Sequence, residues 1–209
     1  MKNAILWGAA GGIGKALTQK LVDEGFAAVA ISRRPSEMKT FTPHVIAADV
    51  TQPSQVTAAA RMAGEMFPAF DLFFYTAGDI ASLKVVEMTP ADWERILAAN
   101  LTGAFLTVQA SLPFLAPEAR LVFLGAVHER LCLPGLSAYA AAKAGLEAFA
   151  ETLRKETRRP VLVVRPGAVD TPLWRKVPFS IPKNALSPQA LAEAIFSALT
   201  EGKTGLLDL

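Results

Sequence analysis

The chain has 209 residues, 52% of them hydrophobic, with 21 basic and 19 acidic side chains. This length suits one well-filled domain, and the balanced charge gives no indication of a basic surface for nucleic acid. Cys132 is the single cysteine, which excludes an intrachain disulfide and favours a cytoplasmic setting. The N-terminal run breaks into glycines too early for a signal peptide. We expect no membrane span, since no apolar stretch reaches about 18 residues without a charge or a turn.

Seven short apolar runs alternate with helical patterns along the chain. The runs are unbroken, which is typical of parallel strands buried on both faces. They lie at 4–7, 27–32, 44–49, 71–76, 120–125, 161–165 and 205–209. Helical patterns occupy 13–21, 53–67, 89–115, 137–156 and 187–202, with Gly25 as a C-terminal cap and Thr89 and Ser187 as N-caps. This order predicts a single α/β domain over 1–209: a Rossmann-type doubly wound sheet of about seven parallel strands with helices on both faces.

The least regular segment covers about 171–186 and contains three prolines. In folds of this class ligands bind beside the carboxyl ends of the strands, where this segment follows the sixth run. We predict a short, mobile substrate loop, and we count Trp174 among its substrate contacts.

The stretch "GAAGGIG" at 8–14 stands between the first strand and the first helix. Glycines let the backbone turn tightly and approach a ligand, and the N–H groups of the helix point at an anion. This predicts a pyrophosphate site at Gly8, Gly12, Ile13 and Gly14.

The ribose of a dinucleotide bound there should meet the end of the second strand, about 20 residues further on. Ser32, Arg33 and Arg34 occupy that place. A serine and two arginines favour a 2′-phosphate over a bare hydroxyl, so the sequence predicts NADP(H) in preference to NAD(H). The alternative is a solvated basic turn.

Six motifs in this order resemble those of the short-chain dehydrogenase/reductase family over essentially the whole chain. They are the glycine run, "AADV" (47–50), "TAG" (76–78), "NLTG" (100–103), "YAAAK" (139–143) and "RPGAVDT" (165–171). The resemblance implies that Asp49 and Val50 contact the adenine and that Asn100 fixes a water linking Lys143 to solvent. It also implies that Lys143 holds the nicotinamide ribose. The remaining cofactor contacts that it implies are Ala77, Gly78, Pro166, Gly167, Val169 and Thr171.

Tyr139 and Lys143 are one helical turn apart, so their side chains share a face. A free phenol has a pKa near 10, and we expect the ammonium, with an oxidised nicotinamide, to lower that of Tyr139. Tyr139 is then the predicted acid/base that exchanges a proton with the substrate oxygen while hydride is transferred at carbon. The alternatives are an ordinary amphipathic helix for this pair and a polar residue at a helix kink for Asn100.

The chain departs from the family pattern at several positions. The resemblance puts the catalytic serine at position 126, where Ala126 offers no hydrogen bond to the substrate. His128 is a candidate substitute donor, with a surface loop histidine as the alternative. We interpret Ser137 as the N-cap of its helix. Trp7 and Tyr75 replace the family's threonine and first asparagine; their strands are predicted neighbours, so we expect the two residues to have repacked together.

Two hypotheses follow. The first is an NADP(H)-dependent oxidoreductase acting on a carbonyl, an alcohol or an activated C=N bond, with Tyr139 as acid/base. The second is a non-catalytic NADP(H)-binding, redox-responsive regulator, which Ala126 favours. The resemblance implies a homodimer or homotetramer formed through the helices at 89–115 and 137–156. We expect a small-molecule substrate and no metal, nucleic acid or membrane partner.

Overall fold

The computed structural model describes residues 2–209 and contains one sheet of seven parallel strands. The strands are β1 (Asn3–Trp7), β2 (Ala27–Ser32), β3 (Val45–Ala47), β4 (Phe70–Tyr75), β5 (Leu115–Leu124), β6 (Val161–Arg165) and β7 (Gly205–Asp208). Their order in the sheet is β3-β2-β1-β4-β5-β6-β7, and every neighbouring pair is parallel. The order reverses between β1 and β4, which is the switch point where such sheets bind ligands. The predicted doubly wound fold is confirmed.

Helices cover both faces of the sheet and create two apolar cores. They are α1 (Gly12–Asp23), α2 (Pro53–Met66), α3 (Pro90–Leu97), α4 (Gly103–Ser111), α5 (Ser137–Thr157) and α6 (Pro188–Thr200). Residues of α1 and α6 pack with one set of strand side chains, and residues of α2, α4 and α5 pack with the other. Alternate residues of a strand face opposite sides, so Ile5 and Trp7 join one core while Leu6 joins the other.

The predicted helix at 89–115 is not continuous. It begins with a capping box between Thr89 and Asp92 and is interrupted by a π-helical turn at Ala98–Thr102. Within that turn the Gly103 N–H bonds to the carbonyl of Ala98, five residues back, instead of to Ala99. After α4 the chain passes through a 3₁₀ turn, Leu112–Phe114, and enters β5 at Leu115.

The same segment bears on the expectation that no stretch could span a membrane. By length and composition alone, the segment Pro90–Phe114 could span a membrane, because its most apolar window has a mean hydropathy of 1.3. In the fold, however, Ala104 and Val108 are buried in the core beside α2 and α5, and Ile96 is also buried. The segment therefore contributes part of its apolar side chains to the core of this structure.

The helix ends follow the predicted caps with one exception. Ser187 accepts a hydrogen bond from the Ala190 N–H at 3.0 Å, and Gly25 has a positive φ of 82° after α1. Ser137 is not an N-cap: Leu136 holds that position, and Ser137 is already the first residue of α5. Its hydroxyl is buried without a hydrogen-bond partner among residues 2–209, so it cannot bond to the first-turn N–H groups as a cap would.

Candidate cofactor site and active site

The three glycines of the turn between β1 and α1 allow three parts of the chain to pack closely. A side chain at Gly8, whose φ is +86°, would lie 2.3 Å from the Ala77 nitrogen, and one at Gly14 would lie 2.6 Å from the Ala9 oxygen. At Gly12 a side chain would lie 2.9 Å from Thr171 Cγ2. The turn therefore brings the segment after β4 and the segment after β6 against the start of α1, as only glycine allows.

The N-terminus of α1 is suited to an anion. It has no side-chain cap and no acidic residue in its first turn, which comprises Gly12, Ile13 and Gly14. The first N–H groups of a helix lack intrahelical partners and carry partial positive charge. A pyrophosphate fits this end of the helix, as the sequence predicts.

The predicted ribose site is strongly charged. Ser32 is buried at the end of β2, and its hydroxyl accepts a hydrogen bond from the Arg34 N–H at 3.2 Å. The side chains of Arg33 and Arg34 are exposed, and Arg34 lies 3.0 Å from Glu37. Lys15 donates to the same carboxylate at 2.6 Å, and Lys15, with Arg34, holds the pKa of Glu37 below its usual value.

Lys15 and Glu37 were not identified from the sequence. Lys15 directly follows the glycine motif, and Glu37 stands three residues after Arg34 in a 3₁₀ turn. The spacing of Arg34 and Glu37 was the only available signal, because the contact with Lys15 depends on how α1 and β2 pack.

The segment after β3 carries the two residues assigned to the adenine. Asp49 turns its Oδ1 to Thr51, whose N–H and hydroxyl donate at 3.0 and 2.8 Å. Its Oδ2 lies 3.9 Å from Arg33. Val50 is buried, and its Cγ2 lies 3.1 Å from where a side chain at Gly103 would begin. This segment thus borders the helix pair that carries Asn100.

Asn100 lies in the π-helical turn and is fully buried. Its Nδ2 donates to the carbonyl oxygens of Asp79 at 2.6 Å and Ile96 at 2.8 Å. Its Oδ1 is buried with no partner among the described residues, and a side chain at Gly78 would lie 3.0 Å from it. Buried amide oxygens are normally hydrogen-bonded, so this one fits a water or a ligand donor.

Trp7 and Tyr75 are direct partners in the register of β1 and β4, which confirms that they lie on neighbouring strands. Both are fully buried. The Trp7 indole donates to Ser111 Oγ at 3.2 Å, and the Tyr75 hydroxyl donates to the Ala99 carbonyl at 2.7 Å. Each substitution has therefore found a hydrogen-bond partner in the helices packed on this face.

Tyr139 and Lys143 share one face of α5, with the Lys143 Nζ 5.5 Å from the centre of the Tyr139 ring. Lys143 is buried and donates to the Leu124 carbonyl at 2.7 Å. Burial lowers the pKa of Lys143 to about 8, partly opposed by the charge of Glu147. Burial raises the pKa of Tyr139 to about 12. This rise comes from removing the phenolate from water in the protein alone, so the expected lowering of the tyrosine pKa beside an oxidised nicotinamide stays a prediction.

Ala126 is buried just beyond β5, where its methyl group offers no hydrogen bond. His128 turns to α5: its Nδ1 lies 3.1 Å from Glu147 Oε1. Glu147 is two helical turns, about 12 Å, beyond Tyr139 along α5. Arg165 contacts Glu129, Glu147 and Asp208, and so holds this ion cluster in place.

The segment after β6 runs past the glycine turn. Pro166 is buried, the Gly167 N–H donates to the Leu209 carbonyl at 2.8 Å, and Thr171 lies against Gly12. Val169 pairs with Leu186 and closes the base of the predicted substrate loop. The Trp174 indole donates to the Val169 carbonyl at 2.8 Å, so its polar atom is used within the loop.

Comparison with known proteins agrees with this architecture. The sequence profile of the short chain dehydrogenases matches residues 2–179. An uncharacterized oxidoreductase of Staphylococcus epidermidis is 29% identical over 96% of this chain and 91% of its own. One of Staphylococcus aureus is 28% identical over 96% and 91%.

Solved structures show the same fold. An alcohol dehydrogenase from the archaeon Thermococcus sibiricus, in complex with 5-hydroxy-NADP, superposes with a TM-score of 0.92 at 23% identity, covering 100% of this chain and 96% of that one. The aldohexose dehydrogenase of Thermoplasma acidophilum gives 0.89 at 24% identity, covering 100% and 92%. The profile match, the oxidoreductase relatives and the seven-stranded sheet agree: the chain belongs to the short-chain dehydrogenase/reductase family of oxidoreductases.

Proposed function

We propose that the protein is an NADP(H)-preferring oxidoreductase that transfers hydride between the nicotinamide and a carbonyl or alcohol carbon. The observation that carries this proposal is the pair of half-buried Tyr139 and buried Lys143 on α5 of a dinucleotide-binding fold. A redox-responsive regulator needs the dinucleotide site alone. It gives no reason to keep the phenol of Tyr139 beside that lysine, and the family match does not favour it.

The residues present fit a dinucleotide. The N-terminus of α1 would hold the pyrophosphate, Asp49 and Val50 the adenine, and the segment from Pro166 to Thr171 the nicotinamide. When bound, the reduced nicotinamide supplies the hydride. The unpartnered Oδ1 of Asn100 supports a bound water in this site, as the family pattern implies.

Tyr139 would act as the proton donor in the reductive direction. With a pKa near 12 its phenol stays protonated at neutral pH and can donate to a substrate oxygen. Lys143, with a pKa near 8, is mostly charged at pH 7 and would stabilise the phenolate that remains. These two groups would therefore support proton donation to a carbonyl oxygen during its reduction, and the reverse proton transfer during oxidation of an alcohol.

The substrates we propose are activated carbonyl compounds such as quinones, diketones and reactive aldehydes. Ala126 removes one hydrogen-bond donor, and the loss of such a donor typically costs about 10²–10³ in rate. His128 is paired with Glu147, which supports a site where no histidine replaces the serine. We therefore expect His128→Ala to leave kcat within about twofold of the wild type. A larger loss of kcat would indicate that His128 donates a hydrogen bond to the substrate.

NADP(H) preference is supported by three cations, Lys15, Arg33 and Arg34, around the predicted 2′-phosphate position. We also propose a cytoplasmic homodimer or homotetramer. The exposed aromatic residues Trp93 on α3 and Phe105 on α4 support an interface that includes these two helices. Light scattering tests the assembly: a mass near 22.2 kDa at micromolar concentration would rule it out.

The function itself is tested by following the absorbance of NADPH with a panel of quinones, diketones and aldehydes. We expect NADPH to be consumed by at least one class, and Tyr139→Phe to stop it. If NADPH binds but no carbonyl is reduced, the regulator hypothesis replaces this proposal. Full activity in Tyr139→Phe would refute the tyrosine mechanism.

A further inference from the structure

Asp79 directly follows "TAG" and carries an unusual concentration of contacts. Its side chain is only 13% exposed, and its carboxylate is paired with two cations from different elements. One is Arg95 on α3, and the other is Lys176 in the 3₁₀ turn Pro172–Lys176 of the loop after β6. The Ile80 N–H also donates to Asp79 Oδ1 at 3.0 Å, which fixes the orientation of the carboxylate.

The backbone of Asp79 contacts the proposed active site. Its carbonyl oxygen accepts the Nδ2 hydrogen bond of Asn100 at 2.6 Å. One residue earlier, Gly78 lies against Asn100 Oδ1. The position of Asp79 thus sets the position of the Asn100 amide.

The loop that carries Lys176 has few other anchors. At its base, Val169 pairs with Leu186, and the Trp174 indole bonds back to Val169. From Pro178 to Asn184 every side chain is exposed. Of the ion pairs in residues 2–209, Lys176–Asp79 is the one that joins this loop to the opposite wall of the site.

We propose that Asp79 is a positioning residue that couples the loop to the active site. Its carboxylate holds the loop over the site through Lys176, while its carbonyl holds Asn100. The proposal deepens the oxidoreductase function and rests on it for its effect on catalysis. Neutralising Asp79 leaves Arg95 beside Asp92, at 3.6 Å, but leaves Lys176 with no carboxylate partner in the described residues, so the loop is the part released.

The link that Lys176 and Asp79 make between the loop and the site is tested without any substrate, by the rate at which chymotrypsin cleaves the chain after the exposed Phe179. None of the variants alters the bond that is cleaved. The variants are Asp79→Asn, Lys176→Met and the double variant, with Lys183→Met as a control on the same loop. We expect each single variant to be cleaved about threefold to fivefold faster, as the loss of an ion pair with one half-exposed partner allows. The double variant should be no faster than the singles, and the control should match the wild type.

Unchanged cleavage in Lys176→Met, or additive effects in the double variant, would overturn the tie. Lys176 is half exposed, so this variant tests the tie even if Asp79→Asn folds poorly. With an active substrate, both single variants should raise KM about fivefold and leave kcat within about twofold. An equal fall in kcat and kcat/KM would contradict a positioning role. If no carbonyl is reduced, the proposed function fails while the cleavage experiment still decides the tie.

Discussion

Lys143→Met should make the protein more stable at neutral pH while removing its activity. The wild-type ammonium is buried, and burial lowers the pKa of Lys143 from 10.5 to about 8. Each tenfold change in a proton-binding constant is worth about 1.4 kcal/mol, so holding this charge costs the folded state about 3 kcal/mol at pH 7. Methionine fills a similar volume without a charge.

The gain is partly offset by a lost hydrogen bond. The Lys143 ammonium donates to the Leu124 carbonyl at 2.7 Å, and leaving that carbonyl without a partner costs about 1 kcal/mol or more. The expected net change in the free energy of unfolding is an increase of about 2 kcal/mol. For a chain of this length that raises Tm by roughly 4–8 °C.

Thermal unfolding of both proteins from pH 7 to 11 measures the effect. Between pH 8 and 10.5 the unfolded lysine holds its proton while the folded lysine has lost it, so wild-type stability rises with pH. The difference between the proteins should therefore shrink across that range. Lys155→Met, exposed on the same helix, is the matched control and should change stability by less than about 0.5 kcal/mol. A variant no more stable than wild type at pH 7 would refute the reasoning.

Four further variants probe the site. Tyr139→Phe should abolish turnover and leave NADPH affinity, measured by cofactor fluorescence, nearly unchanged; full activity would refute the acid/base role. Ala126→Ser should raise kcat on simple ketones about tenfold, and no gain would mean that a hydroxyl there does not reach the substrate. Glu37→Gln should increase the affinity for NADPH about threefold, since it frees Arg34 from its ion pair. The Arg33→Ala, Arg34→Ala double variant should lose the preference for NADPH over NADH. If the wild type binds NADPH and NADH with equal affinity, both expectations are refuted.

The sheet could be predicted from the sequence because its strands are short, unbroken apolar runs between turn residues. Buried parallel strands need that pattern, and it is local. The glycine turn could also be predicted from the sequence, since Gly8, Gly12 and Gly14 each lie where the structure has no space for a side chain. The motif residues of the candidate site lie at or just after the ends of the first six strands, in α1, in the π-helical turn or in α5, as their order in the chain suggested.

Other properties depend on contacts that no local pattern shows. The π-helical turn around Asn100 keeps the composition of a regular helix, so periodicity predicted one continuous element. The pKa values of Tyr139 and Lys143 are governed by how deeply α5 is buried, which spacing alone does not reveal. The role of Glu37 could be identified only from the structure, in which α1 and β2 place Lys15 and Arg34 beside its carboxylate.

The hydrogen bond from Tyr75 to the Ala99 carbonyl has a consequence for the helix pair α3 and α4. The π-helical turn contains one residue more than a regular helix would need, and the Tyr75 hydroxyl takes the carbonyl that the extra residue releases. Gly103 leaves room for that hydroxyl, since a side chain there would lie 2.4 Å from it. Deleting one residue between Ala98 and Thr102 would restore regular bonding but rotate α3 by about 100° relative to α4. Tyr75 and Gly103 therefore stabilise the π-helical turn together. Removing its extra residue would turn Arg95 away from Asp79.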